Sequence, residues 1–593
     1  MKQDIQSHIS LLRDAMRSAG VEAVIIPQTD PHQSEYIASH WQVRRWLSGF
    51  TGSAGDLVVT LKAAFIWADS RYWLQSAMQL EGTGIEVMQD GKPETPTITR
   101  YLIDNLQKGD TVGIDGMLFS VDATEHLKKD LATHGIGLRV DFNPIDGIWT
   151  DRPELPKDEV FIHDVKYAGE EPSAKIEKIL ADVALQGADS TFISDLAEIA
   201  WTLNIRSSDV KCNPVVTSFL YLSPDHSTLF IDADKLTEQV RDHLDRYGIA
   251  VCRYTDVTSW LSSLPADERV LIAPAKCAGI IADILGNRAV AGTSPVAMLK
   301  AVKNDVQIEG FRNAMIRDGV ALVKTYMAIE AKLAAGGKVT EIEADDLSTG
   351  FRKASPLYFD KSFGSASAYG PNGAIVHYEA DEQSNATFAP GSLYLFDSGV
   401  NYLDGTTDIT RTYPLGPLTE EQKHWYTLVL KSHIGMARAV FLEGCTGGNL
   451  DILARSAVWR EGIDYRCGTG HGVGFVGGVH EGPQNLRISN NVKFQPGMTI
   501  TDEPGIYETG RVGIRIENEL VCVELMKTEY GRFFGFEPIT YCPIALEAVQ
   551  PELLSAEELR WINEYHAMVY TTLASRLTEA QRAWLAQKTA PLA

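Results

Sequence analysis

The sequence predicts two α/β segments followed by an α+β segment. Three observations carry that expectation. Short apolar runs alternate with helical patterns up to about residue 300, and a charged stretch with two prolines, DRPELPKD at 151–158, interrupts them. From about residue 304 the pattern changes to longer helices followed by paired strands.

In the first segment VEAVIIP and DLVVT read as buried strands. In the second, TFI, a helical stretch near DLAEIAWTLN, STLFIDA and RVLIAP repeat the style, so the two segments read as distant copies on a weak similarity. In the third, Phe311, Met315, Leu322, Tyr326, Ile329 and Leu333 recur at spacings of three, four and seven, and Gly336-Gly337 ends the run. A second helix starts at Thr419, with Gln422 as its capping-box partner, and is expected to run to Leu442-Glu443-Gly444. A third starts at a Ser555/Glu558 capping box and carries Leu559, Ile562, Val569 and Leu573 on one face. That face must cover its own domain or a second subunit. The expected divisions are 1–155, 156–303 and 304–593, the last with a helical extension from about 545.

Subtracting 78 acidic from 54 basic side chains leaves a charge of −24 over 593 residues. A field of that sign repels phosphate, which argues against nucleic acid or an anionic membrane as the partner. The seven cysteines, at 212, 252, 277, 445, 467, 522 and 542, never form CxxC, so neither a disulfide framework nor a structural zinc site is expected. Asp4, Arg13 and Asp14 interrupt the apolar residues at the start, and no run of 18 apolar residues occurs. The expectation is a cytoplasmic protein.

Chemistry concentrates in three stretches. In LYLFDSGVNYLDGTTDITRT, 393–412, a four-residue loop at Asn401–Asp404 would pair Val400 with Gly405 and set Asp397 opposite Asp408. In MTITDEPGIYETGRVGIRIENELVCV, 498–523, a turn centred on Gly510 sets Glu503 opposite Glu517. Opposed residues have Cβ atoms about 5 Å apart, and like charges there destabilise a sheet. One such pair is commonly solvent-exposed or bonded to a nearby arginine; two on apolar strands call for a cation.

Between them, CGTGHGVGFVGGVHEGP at 467–483 supplies His471 and His480. Residues 472–477 satisfy GxGxxG but no helix start follows, which excludes a dinucleotide loop, and His480-Glu481 does not extend to HExxH. His471 is then the natural nitrogen ligand. Four carboxylates and one imidazole are mainly hard donors with capacity to bridge two divalent ions, manganese or cobalt before a thiolate-seeking metal. Such a pair lowers the pKa of a shared water and polarises a carbonyl, so the reaction class is metal-assisted hydrolysis.

The order Asp397, Asp408, His471, Glu503, Glu517, at spacings of 11, 63, 32 and 14, resembles the pita-bread metallopeptidases. HQSEYI, GFTGSAG, WTLNIRSSDVKCNPV, GPNGAIVHY, VHEGP and DEPGIYE narrow the resemblance to the long, three-domain cytosolic Xaa-Pro aminopeptidases, over nearly the whole chain. The resemblance implies two creatinase-like α/β domains ahead of a pita-bread α+β catalytic domain. It implies two divalent ions per subunit, manganese foremost with cobalt or zinc as alternatives, and a homodimer. Asp397 and Asp408 would bind one ion and His471 and Glu503 the other, with Asp408 and Glu517 bridging. His377 and His480 match histidines that contact substrate and move protons, Glu503 would accept a proton from the attacking hydroxide's parent water, and Tyr507 and Arg515 line the proline side. The substrates would be small peptides with proline second. One departure is Cys467, where the family pattern HGTGH carries a histidine; cysteine is smaller and no imidazolium donor. Rival readings are a prolidase, a methionine aminopeptidase-like specificity, and a non-catalytic binding protein on the same scaffold.

Overall fold

A computed structural model describes residues 2–593, which divide into two compact units. The first comprises residues up to Asp164 and Glu170–Val296; the second comprises Val165–Gly169 and Ala297–Ala593.

The first unit holds two six-stranded sheets. One is built from β1 (Ala23–Ile26), β2 (Asp56–Thr60), β3 (Ala64–Ala68), β4 (Glu86–Gln89), β5 (Thr111–Gly113) and β6 (Gly137–Arg139), in the order β4-β3-β2-β1-β5-β6. The other contains β7 (Ser190–Ile193), β8 (Phe219–Leu222), β9 (Ser227–Phe230), β10 (Ile249–Cys252), β11 (Val270–Ile272) and β12 (Ala289–Ala291), in the order β10-β9-β8-β7-β11-β12. The two orders are the same. In each sheet the first strand pairs antiparallel with the second and parallel with the fifth. The weak likeness of style in the sequence is therefore a repeated topology. AVII and STFI are buried at every position, as expected for strands covered on both faces. His32 of the HQSEYI stretch is a core residue: its Nδ1 lies 2.9 Å from Ser194 O and its Nε2 2.9 Å from the Tyr254 hydroxyl.

The long helix of the second unit, α1 (Asp305–Ala334), is closed at its start by an Asn304/Gln307 capping box. Among the helices that follow in chain order are α2 (Glu341–Arg352), α3 (Glu420–Ala437), α4 (Gly447–Trp459) and α5 (Ala556–Leu573). Phe311, Met315 and Leu322 of α1 are fully buried in a core shared with Ile562, Val569 and Leu573. Those last three lie on α5, so this helix covers its own unit rather than waiting for another chain. The capping boxes at Thr419/Gln422 and Ser555/Glu558 are both formed. One boundary differs from expectation. The helix from Thr419, α3, stops at Ala437, and Val440–Leu442 is an edge strand. Phe441 pairs with Phe534 there, so tertiary pairing takes the apolar residues that extended the helical pattern.

Two strand systems present the acidic residues. β13 (Ala366–Tyr369), β14 (Ser392–Ser398) and β15 (Ile409–Leu415) form one sheet. Here the structure corrects the expected register. Asp397 pairs with Thr410, not Asp408, and the turn is closed by Tyr402 with Gly405 rather than Val400 with Gly405. The slip is two residues, which preserves strand parity, so Asp397 and Asp408 stay on one face. The second system contains β16 (Gly470–His471), β17 (Thr499–Asp502), the hairpin β18 (Gly505–Glu508) with β19 (Val512–Arg515), β20 (Asn518–Thr528) and β21 (Gly531–Pro538). Asp502 pairs with Asn518 and Gly505 with Arg515, so the register on both sides of Glu503 and Glu517 is the one the sequence predicts.

His566 on α5 gives a pH prediction. It is fully buried, and its Nε2 accepts the Ile544 amide at 3.0 Å. Burial, then the Arg411 charge, lower its pKa to about 3 from 6.5. The unfolded chain therefore takes up a proton near pH 6.5 that the folded chain refuses. The stabilisation is complete above pH 6.5 and is lost as pH falls toward 3, at up to about 1.4 kcal/mol per pH unit. Urea unfolding at pH 7 and pH 5 is expected to show a smaller pH dependence in His566→Gln than in the parent.

Candidate metal centre

His471 is fixed by its neighbours. Its amide donates to Thr501 Oγ1 at 3.1 Å, and its Nδ1 lies 3.0 Å from Gly472 O. With Nδ1 donating to that carbonyl, Nε2 is the free ligand atom, 3.4 Å from both Asp408 Oδ2 and Glu503 Oε1. One ligand atom each from Asp408, His471 and Glu517 lies within 4.8 Å of the others.

Glu517 is buried and its Oε2 accepts the Thr410 hydroxyl at 2.6 Å. Thr410 is the residue paired with Asp397, so one strand position supports both acids. Asp397 Oδ2 accepts Arg515 Nη2 at 2.6 Å, while its Oδ1 is buried with no hydrogen-bond partner among the described residues. Arg515 also donates to the Tyr507 hydroxyl at 2.7 Å and to Thr410 Oγ1 at 3.0 Å. Glu503 leaves β17 with its amide bonded to Thr469 O at 2.8 Å.

Electrostatics report the crowding. Burial, with Asp408 and Glu503 adding their charges, raises the Asp397 carboxyl to about 6 against the pull of Arg515. Burial and the charges of Asp408, Glu503 and Asp397 raise Glu517 well above the usual range. Burial lowers His471, but the Asp408 hydrogen bond and the Glu503 and Asp408 charges outweigh it and bring the imidazole to about 9. Protons thus neutralise these acids when no other cation does. An orphaned carboxylate oxygen and a donor set of oxygens plus one imidazole nitrogen fit divalent cations.

The remaining predicted residues lie around this cluster. The His480 ring sits edge-on to His471, centroids 4.3 Å apart, and His377 lies 6.4 Å beyond His480. Cys467 is beside Glu503 and Arg515; burial, then the Glu503 charge, push its thiol up to about 11. Burial likewise raises the Tyr507 hydroxyl, which stays protonated.

Sequence reasoning missed the supporting layer. Arg411 donates to Glu517 O at 2.5 Å, to Asn518 Oδ1 at 2.8 Å and to the Tyr565 hydroxyl at 2.7 Å. Asp318 forms a bidentate pair with Arg352, at 2.6 and 2.9 Å, and accepts Thr407 Oγ1 at 2.7 Å. Glu481, next to His480, is held by Lys300 and Lys303. Thr410, Arg411, Glu481 and Asn518 stood inside stretches already singled out; Asp318, Arg352, Lys300, Lys303 and Tyr565 carry no local signal.

Comparison with known proteins agrees with this architecture. Models of the creatinase/prolidase N-terminal domain match residues 8–147 and 151–307. Metallopeptidase family M24 matches 309–524, and the C-terminal region of that peptidase family matches 532–592. Aminopeptidase P2 from Arabidopsis thaliana is 38% identical, covering 97% of this chain and 86% of its own length. Xaa-Pro aminopeptidase 1 from Dictyostelium discoideum is 37% identical, covering 95% of this chain and 92% of its own. The crystal structure of an X-prolyl aminopeptidase from Caenorhabditis elegans, described as a cytosolic enzyme with a di-nuclear active site, superposes with a TM-score of 0.95 at 34% identity, covering 99% of this chain and 100% of that one.

Proposed function

From the membership of this chain in the Xaa-Pro aminopeptidases of metallopeptidase family M24, a family of metal-dependent hydrolases, we propose that it removes the residue ahead of proline from short peptides. The observation that carries the reading is the convergence of Asp408, His471 and Glu517 within ligand distance of one another, with His480 and His377 ranged behind His471. Asp397 and Asp408 would hold one divalent ion, His471 and Glu503 the other, with Asp408 and Glu517 shared. Manganese is the ion we favour, with cobalt and zinc as alternatives, on the hardness of the donors. Bound there, the ions supply Lewis-acid activation of water and of the scissile carbonyl.

The chain's own residues do the rest. Glu503 accepts the proton that water gives up as it attacks. The hydrogen bond from His471 Nδ1 to Gly472 O keeps Nε2 aimed at the acids. Arg515 holds Asp397 and the Tyr507 hydroxyl on the side assigned to proline. His480 and His377 contact the peptide and move protons. A proline nitrogen is a tertiary amide without a hydrogen, which defeats peptidases that need an N–H there. The acidic cluster favours the substrate's α-ammonium group.

We also propose a homodimer and a cytoplasmic location. The Caenorhabditis elegans relative is described as cytosolic. Among the described residues no helix is long and apolar enough to cross a membrane. Exposed Val440, Leu442, Leu525 and Met526 on one sheet, with Tyr530 in the turn between two of its strands, offer apolar surface for a second copy.

The test is manganese-dependent cleavage of Arg-Pro-Pro, Ala-Pro and Met-Ala-Ser. Release of arginine from Arg-Pro-Pro, with Met-Ala-Ser intact, is expected. Cleavage of Ala-Pro alone points to a prolidase, and inertness of the fully metal-loaded protein points to a binding protein.

Cys467 makes this site distinctive. Its thiol, raised to about 11, stays neutral near pH 7 and offers no cation on the proline side. Cys467→His is expected to leave the metal content unchanged and to shift kcat or KM for Arg-Pro-Pro several-fold. Unchanged steady-state constants would show that the position is indifferent to imidazole.

A further inference from the structure

Glu341 is the first residue of α2, behind the Thr340 cap, and is fully buried. Its carboxylate is a hub. Oε1 accepts the Tyr369 amide at 2.6 Å and Asn372 Nδ2 at 2.9 Å; Oε2 accepts the Tyr378 hydroxyl at 2.8 Å and the Ala386 amide at 2.7 Å. Its main chain joins in, the amide donating to Ala386 O at 3.1 Å and the carbonyl accepting Ser367 Oγ at 2.6 Å. These partners run from the strand entering the 370–386 loop to the residue where the loop leaves it. His377 lies in the middle, beside Tyr378.

The four side-chain bonds come from neutral donors, so no counter-ion compensates burial of the charge. What favours it is charge-assisted hydrogen bonding at the amino end of α2. Dedicating one buried carboxylate to both ends and the centre of a single loop removes that loop's freedom to drift. The far side of the loop is held as closely. A Cβ on Gly513, in β19, would lie 1.7 Å from Gly373 O. The loop is therefore clamped between α2 and the hairpin that carries Tyr507 and Arg515.

We propose that Glu341 is a positioning residue for catalysis, acting through His377 by holding its loop at the distance that ranges it behind His480. This rests on the substrate-contact role proposed for His377. Glu341→Gln keeps the size but replaces one of the two acceptor oxygens with a donor, leaving donors unmatched at one end of the loop. Groups that orient the ligands of a metal site typically matter by about 10- to 100-fold in activity, and the same range is expected for a group that orients His377 beside such a site.

The test is a double-mutant cycle of Glu341→Gln and His377→Ala on manganese-loaded protein with metal content measured. Glu341→Gln is expected to lower kcat/KM for Arg-Pro-Pro by about 10- to 100-fold in the parent and by less than about twofold in His377→Ala. Equal falls in both backgrounds, or no fall in the parent, overturn the inference while leaving the proposed function intact. An unaffected His377→Ala overturns the histidine's role and this inference together. Tyr378→Phe removes a single donor and carries the same cycle, with a smaller expected fall, should Glu341→Gln fold poorly. In metal-free protein with 13C-labelled histidine, Glu341→Gln is expected to move the His377 resonance and leave that of His566 in place; an unmoved His377 signal counts against the proposal.

Discussion

Glu517→Gln is expected to lower hydrolysis of Arg-Pro-Pro by at least about three orders of magnitude, ~4 kcal/mol of transition-state stabilisation, and to reduce bound metal below two ions per chain. The side chain is buried at the centre of the cluster, and its Oε2 already accepts the Thr410 hydroxyl. An amide keeps the shape, yet it carries no charge and turns one ligand atom into a donor. The same change is expected to raise the melting temperature of the metal-free protein, since Glu517 suffers the charges of Asp408, Glu503 and Asp397 in addition to burial. Activity falling while metal-free stability rises is the signature of a site held for function at the expense of the fold. Metal analysis and thermal melts on stripped protein check both halves. Retention of two ions with high activity would remove Glu517 from the ligand set.

Gly470→Ala is expected to be nearly as damaging without touching a ligand. A Cβ at Gly470 would lie 1.8 Å from Thr501 O, so the two strands must part. Those strands carry His471 and, one residue past Asp502, Glu503. Overpacking of this kind costs about 1–3 kcal/mol of stability. Displacement by about 1 Å costs about 100-fold in rate. Both falls are expected in Gly470→Ala, together with weaker manganese binding by isothermal titration. Gly462→Ala serves as a contrast: the space around its Cβ is open, so only its positive φ of 72° strains the change.

How much of this was legible depends on the range of the interaction. The register around Glu503 and Glu517 was readable because Gly510, at φ 74°, provides the local left-handed turn on which the count rests. The register of Asp397 was misplaced by two. The chain turns through Leu403-Asp404, and Gly399 approaches Thr407 O too closely for any Cβ, a constraint set by packing rather than by turn chemistry. Helix starts at Thr419 and Ser555 followed from four-residue signals, whereas the end of α3 was decided by pairing with a strand about 90 residues on. Glu341 and Asp318 were invisible for the same reason. Each is an acid of ordinary local context whose partners come from distant turns of the chain. The doubled topology of the first unit was only faintly legible, because strand order leaves no trace in composition.

Arg411 has a consequence for dissecting the protein. Its guanidinium grips the main chain at Glu517 with one nitrogen and the Tyr565 hydroxyl with another, and Tyr565 sits on the last long helix. A fragment trimmed just after Glu517 would deprive that buried cation of Asn518 Oδ1, Cys542 O, Pro543 O and the Tyr565 hydroxyl. The smallest autonomous peptidase in this chain is thus longer than its chemistry alone requires, and the tail is as much a part of the catalytic machinery's scaffold as the strands that bear the acids.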